Sequence, residues 1–161
     1  MFNLSKKNLF TGIFLISFIA LISAYFIEYI LGHQPCNLCV YERIPYFLAI
    51  LILVINYKYN KLEKYLILSL AIIFFIAAIL SLYHLGIEQG FIEESLLCDL
   101  VKGANILDKE QILKQLQQKN VSCKDVTFQI FGLSLTSYNV IISSLLTITL
   151  IRFYFGYEKS R

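Results

Sequence analysis

Tyr65-Leu66-Ile67-Leu68-Ser69-Leu70-Ala71-Ile72-Ile73-Phe74-Phe75-Ile76-Ala77-Ala78-Ile79-Leu80-Ser81-Leu82-Tyr83-His84-Leu85-Gly86-Ile87 runs without one Asp, Glu, Lys or Arg. As a helix it would be about 34 Å long at 1.5 Å per residue, enough to cross a hydrocarbon core of about 30 Å. No polar stripe recurs along it, so no face is suited to water, and the bilayer is its expected solvent. The rest of the chain follows suit. Hydrophobic residues make up 58% and charged residues only 16%, against about a quarter charged in soluble domains, and the charges sit in a few clusters.

Working outward, a first apolar block covers residues 9–31, broken only by small polar residues and Glu28. Lys6 and Lys7 precede it, as in a secretory signal. The block is longer than the apolar part of a signal peptide, and Ile22-Ser23-Ala24 is a poor cleavage site, so it is expected to stay as a membrane helix. A second block covers residues 40–57, with Pro45 placed in its first turn, where a missing N–H costs little. That puts Glu42 and Arg43 at the membrane surface, with Tyr41 and Tyr46 in an interfacial aromatic belt. A fourth block covers residues 137–154. Within the long polar stretch 88–136, Asp108 would cap a short amphipathic helix bearing Ile112, Leu113 and Leu116 on one face.

Short loops fix the orientation, because lysine and arginine concentrate on the cytoplasmic side. Lys6, Lys7, Lys58, Lys61, Lys64, Arg152, Lys159 and Arg161 fall on one side, whereas the first loop opposite holds only Arg43. The long loop carries five lysines and seven acids, and loops of that length cross regardless of charge. The expected architecture is an all-α integral membrane protein: an antiparallel bundle of four transmembrane helices in a single domain over residues 1–161. Spans fall at about 9–31, 40–57, 65–87 and 137–154, and loops 32–39 and 88–136 face outward with both termini cytoplasmic. No basic stripe interleaved with aromatics is present, so nucleic acid is not an expected partner.

All four cysteines, Cys36, Cys39, Cys98 and Cys123, fall in those two outward loops. They face the oxidising side, where disulfides persist. Four cysteines allow three pairings, which sequence alone does not decide between. Cys36-Asn37-Leu38-Cys39 has the spacing of a small, readily reduced ring, whereas a Cys98–Cys123 bridge would be a staple worth roughly 3 kcal/mol. Two alternatives compete with redox chemistry. A zinc site would need a second close cysteine spacing, which Cys98 and Cys123 lack, so no metal is expected. Two inert staples would explain Cys98 and Cys123 better than the C-x-x-C, whose closed loop is too short to restrain much. Arg43 lies one helical turn after Cys39, where a guanidinium favours the thiolate. The bland reading of Arg43 is an ion pair with Glu42 or a lipid headgroup.

The run Cys36-Asn37-Leu38-Cys39-Val40-Tyr41-Glu42-Arg43 resembles the disulfide bond formation protein B (DsbB) family, in which a C-x-x-C is followed, one residue on, by Tyr-Glu-Arg. The four spans, the cysteine pair in a second outward loop and the overall length extend the resemblance over essentially the whole chain. It implies a thiol oxidase of the bacterial inner membrane with a quinone, ubiquinone or menaquinone, as cofactor. The partner implied is a periplasmic thioredoxin-fold dithiol protein like DsbA. Cys98 would form the mixed disulfide with that partner, and Cys123 would then attack Cys36. Cys39 would be freed as a thiolate against the quinone ring, and Arg43 would polarise the quinone. The segment Tyr83-His84-Leu85-Gly86-Ile87-Glu88-Gln89-Gly90 departs from the best-known members. His84, at the outer end of the third span, would hydrogen-bond the quinone or take a proton, the alternative being a solvated or structural residue. His33 has a weaker claim, and Glu28 reads as a snorkelling or paired carboxylate.

Three other functions compete with this one. A vitamin K epoxide reductase-like enzyme would share the thiol–quinone chemistry, but Tyr-Glu-Arg after the C-x-x-C speaks against it. A thiol-reductant transporter needs cysteines within spans, and this chain has none there. A non-catalytic tetraspan protein with two inert bridges would lose nothing on Cys36→Ser.

Overall fold

The computed structural model describes residues 6–59, 63–93, 122–124 and 128–159. Among the described residues, five helices and one hairpin are formed: α1 Lys6–Tyr29, α2 Asn37–Tyr41, α3 Ile44–Tyr59, α4 Glu63–Glu88, β1 Gln129–Ile130, β2 Leu133–Ser134 and α5 Leu135–Lys159. Among the described residues, four segments are long and apolar enough to cross a membrane: Lys7–Tyr29, Asn37–Tyr57, Lys64–Glu88 and Leu135–Gly156. Their outward faces are apolar too. Ile19, Phe47, Phe75 and Leu145 are each more than half exposed, which suits lipid and not water. The chain is a multi-pass membrane protein built as a four-span helical bundle.

Lipid supplies no hydrophobic force between helices, so close association depends on small residues and hydroxyls at the seams. α4 and α5 form the most extensive pairing, with α1 against α3 and α3 against α4 next. The seam of α4 is Ile67, Leu70, Phe74, Ala77, Ser81 and His84, at alternating spacings of three and four and all at most 1% exposed. α5 answers with Ser143, Leu146, Thr147 and Leu150. The hydroxyls of Ser81, Ser143 and Thr147 donate to carbonyls one turn back in their own helices, so the seam buries few unpaired donors. At one end it joins an apolar core with Leu9, Ile13, Ala49 and Leu53. At the other it turns polar, and the thiols are there.

The second span differs from the expected single helix over 40–57. It begins at Asn37 and is broken at Glu42 and Arg43 into α2 and α3. Pro45 is the second residue of α3 and has no N–H to give to the carbonyl of Tyr41, so the ladder cannot run through. One placement is corrected: Tyr46 is buried edge-to-face with the Phe74 ring instead of lying in an interfacial belt, and Glu42 beside the break is buried in the protein, at 8% exposure. The third and fourth spans run past both expected ends, because helices continue beyond the purely apolar residues that mark them in sequence, while the first starts earlier, at Lys6, and stops at Tyr29, short of Leu31. Asp108 and the amphipathic segment after it lie outside the described residues, as does Cys98.

Two turns hold the polar end in shape. α4 stops at Gly90, whose φ of +77° suits a residue without Cβ, and the amides of Phe91 and Ile92 close back on the carbonyl of Gly86. The β1–β2 hairpin pairs Gln129 with Ser134 and Ile130 with Leu133. Phe131 and Gly132 form its two-residue turn, both at positive φ, as a type I′ turn requires. The hairpin leads directly into α5 and sets Ser134 and Thr136 against the end of α4.

Candidate active site

Cys36 caps the N-terminus of α2, its Sγ accepting the amide of Cys39 at 3.3 Å. A single turn of helix thereby folds the C-x-x-C back on itself, and the two sulfurs lie 2.7 Å apart. Cys36 is buried, packed with Leu38 and Ile87, and Cys123 from the second loop is buried in the same cluster at 3% exposure. Three of the four expected cysteines thus meet at one place. The Cys36 thiol is held in its protonated form, pushed up by its hydrogen bond with Cys39 and then by burial, with His84 pulling the other way.

His84 projects from the α4 seam to the back of Cys36, its Nε2 3.4 Å from the sulfur. Its other nitrogen, Nδ1, lies 2.9 Å from Oε1 of Glu42 and 3.3 Å from the Thr136 hydroxyl. Thr136 and Ser134 in turn donate to the two oxygens of Glu88, each at 2.6 Å. Asn139 ties the far side together. Its Nδ2 donates to Glu42 Oε2 at 2.9 Å and to Ser81 Oγ at 2.7 Å, while its carbonyl accepts the Tyr46 hydroxyl. Glu88, Thr136 and Asn139 were not singled out from sequence, and Glu42 was read only as a surface residue and an ion-pair partner for Arg43. The available signal was that each is a polar side chain at or inside a span end, where such groups are rare and paired.

The donor atoms of Cys36, Cys39 and His84 all lie within 4.8 Å of one another and form the one three-donor group of metal-ligand type among the described residues. Two thiolates on one tetrahedral zinc stand about 3.8 Å apart, given zinc–sulfur bonds of about 2.3 Å. At 2.7 Å the sulfurs are nearer the spacing of a dithiol about to close.

On the opposite side of the C-x-x-C, α1 packs against α3 and not closely against α5, and a cavity of about 680 Å³ opens between them. Its walls are mostly apolar, with Ala20, Ile27 and Ile142 among them, and Cys39, Arg43 and Glu28 are among its polar lining residues. Arg43 does not pair with Glu42. It donates to Glu28 from α1, and its guanidinium stacks 5.0 Å from the Tyr25 ring, so Glu28 is the paired carboxylate expected. His33 also lines the cavity and packs against the Phe128 ring. Neither Cys36 nor His84 lines it. The C-x-x-C therefore has two faces, a buried polar one at Cys36 and an apolar cavity at Cys39.

The family described as Disulfide bond formation protein DsbB matches residues 6–153 of the chain. An uncharacterised protein of Rickettsia prowazekii (strain Madrid E) is 37% identical over 141 residues, covering 84% of this chain and 80% of that protein. No solved structure matches.

Proposed function

Because the chain belongs to the DsbB family of disulfide bond formation proteins, we propose that it is a thiol oxidase of the bacterial inner membrane, with both termini cytoplasmic and its cysteines on the outer side. It reoxidises a DsbA-like thioredoxin-fold dithiol protein and passes the electrons to a membrane quinone. The observation that carries this reading is the arrangement of three sulfurs: Cys123 is buried with Cys36, while Cys39 lines the apolar cavity that Arg43 also lines. Thiol–disulfide exchange needs an attacking sulfur on one side of a bond and a leaving sulfur on the other, and these positions suit both.

In this scheme the partner's thiolate attacks Cys98 of a Cys98–Cys123 bridge, and Cys123 leaves. Cys123 then attacks Cys36, so that a Cys36–Cys123 bond forms as the Cys36–Cys39 bond breaks and Cys39 leaves as a thiolate facing the cavity. The cavity residues fit a quinone. Apolar walls suit an isoprenoid tail and a flat ring, and Arg43, positioned by Glu28 and Tyr25, would donate to a ring carbonyl and stabilise negative charge there. Bound there, the quinone supplies an acceptor for two electrons and two protons. Of the two roles open to His84, its position behind Cys36 and away from the cavity supports proton transfer over a contact with the quinone.

The test is oxidation of a reduced thioredoxin-fold dithiol protein by the purified protein with added quinone. Cys39→Ser should abolish turnover. Arg43→Ala should raise the quinone KM about tenfold or more, the worth of one charge-assisted hydrogen bond. Absence of turnover with any dithiol partner, together with cysteines that resist mild reductant, would sink the proposal in favour of an inert tetraspan protein.

A further inference from the structure

His84 has both ring nitrogens engaged, and its partners determine which one carries the hydrogen. Thr136 spends its hydroxyl hydrogen on Glu88, so it offers Nδ1 only an acceptor oxygen. Glu42 as a carboxylate also only accepts. Nδ1 must therefore bear the hydrogen, which leaves the Nε2 lone pair facing the Cys36 sulfur at 3.4 Å. Asn139 pins the second oxygen of Glu42, so the carboxylate that orients the ring is itself oriented. His84 is 1% exposed and the Glu42 side chain 9%.

We propose that His84 is the general base that takes the proton of the Cys36 thiol when the Cys36–Cys39 disulfide closes, and that Glu42 is its positioning residue. The inference rests on the thiol-oxidase reading and specifies one of its steps. Closing the pair from the Cys39 thiolate and the Cys36 thiol makes one sulfur–sulfur bond and breaks one S–H bond. Two electrons go to the quinone acceptor and one proton is released, that of Cys36, to Nε2 of His84. The imidazolium formed is flanked by Glu42 from the α2–α3 turn and by Glu88 of its own helix, whose Oε1 is 3.9 Å from Nε2. α5 contributes only the neutral Thr136 and Asn139, and Glu28 of α1 is occupied by Arg43. Among the described residues, the other ionisable groups of this cluster are the thiols of Cys36, Cys39 and Cys123 and the Tyr83 phenol. The arrangement has the logic of a nucleophile, a base and an orienting carboxylate.

The test needs neither quinone nor partner. The full chain, reduced and held in detergent, is treated with iodoacetamide between about pH 5.5 and 9. The rates at Cys36 and Cys39 are followed separately by peptide mass spectrometry. The wild-type Cys36 should react at pH 7 at least about tenfold faster than in His84→Gln, with a pH dependence shallower than tenfold per unit. Without a base, His84→Gln should show the full tenfold rise per unit that hydroxide imposes, while Cys39 changes little. Glu42→Gln keeps an acceptor oxygen and the packing, and should fall between the two. It also serves if His84→Gln does not fold. An unchanged Cys36 rate and slope in both variants overturns the proposal. A His84-dependent profile in a protein without quinone turnover would overturn the oxidase reading alone, and turnover with a His84-independent profile would overturn the base alone.

Discussion

Cys36 is restrained by neighbours that prefer its thiol to its thiolate. The Cys39 sulfur and then burial push its ionisation above the ordinary value of 9.0, which has a consequence for the stability of the reduced protein. In the unfolded chain the thiol loses its proton near pH 9, while in the folded protein it keeps it. The folded state then binds more protons, so stability falls as pH rises through that range. The reduced protein should hold its full stability below about pH 8.5 and lose it above, by at most about 1.4 kcal/mol per unit for one proton. Denaturation in mixed micelles at pH 8 and 10 would show it, as a steeper loss in the reduced wild type than in Cys36→Ser. Parallel losses in the two would mean that the burial of Cys36 has no such effect. At this scale the cysteines and Arg43 were legible because their chemistry is carried by residue type and spacing. The partner of Arg43 was not. Glu42 is its neighbour in sequence, yet Glu42 is drawn to His84 and Asn139, and the guanidinium turns to Glu28 on another helix.

The break between α2 and α3 lets Glu42 and Arg43 serve different sides of the C-x-x-C. Pro45 withholds a donor from the Tyr41 carbonyl, α2 ends after a single turn, and the cap at Cys36 is aimed independently of the direction of α3. Pro45→Ala restores that donor and lets the segment run on as one helix. We expect a protein at least as resistant to unfolding as the wild type but with thiol-oxidation turnover lowered about tenfold or more, since displacements near 1 Å at a reacting centre have effects of that order. Unchanged turnover would show that the break is incidental. The sequence indicated a first-turn proline correctly. It could not indicate the short helix before it, because a proline at a helix start constrains that helix and says little about the preceding one beyond the next residue. The apolar blocks revealed the spans for a simpler reason: length and lack of charge are properties of a segment alone. Their ends were less legible, since a helix persists into the interface as long as its backbone groups remain paired.

Across the whole bundle, membership of a span was written in composition, but the register between spans was not. The polar cluster exists only because α3, α4 and α5 place Tyr46, Ser81 and Asn139 at the same depth, and no single-segment property encodes that. Asn139 is the residue on which these helices converge, through Tyr46 of α3, Ser81 of α4 and Glu42 in the turn before α3. Hydrogen bonds between membrane helices average about 0.6 kcal/mol and reach about 1.7. Losing all three while stranding buried partners should therefore cost Asn139→Ala about 2 kcal/mol. Ser143→Ala, one turn further along α5, is the control. Its hydroxyl bonds only carbonyls of its own helix, so its removal should cost less than about 0.5 kcal/mol. Unfolding of both variants in increasing SDS would compare them directly. A gap of this size would mean that the polar cluster also clamps the helices together, so that the groups orienting His84 help to hold the bundle closed. Equal losses would mean that apolar packing along the α4–α5 seam holds the bundle by itself, leaving the cluster to chemistry alone.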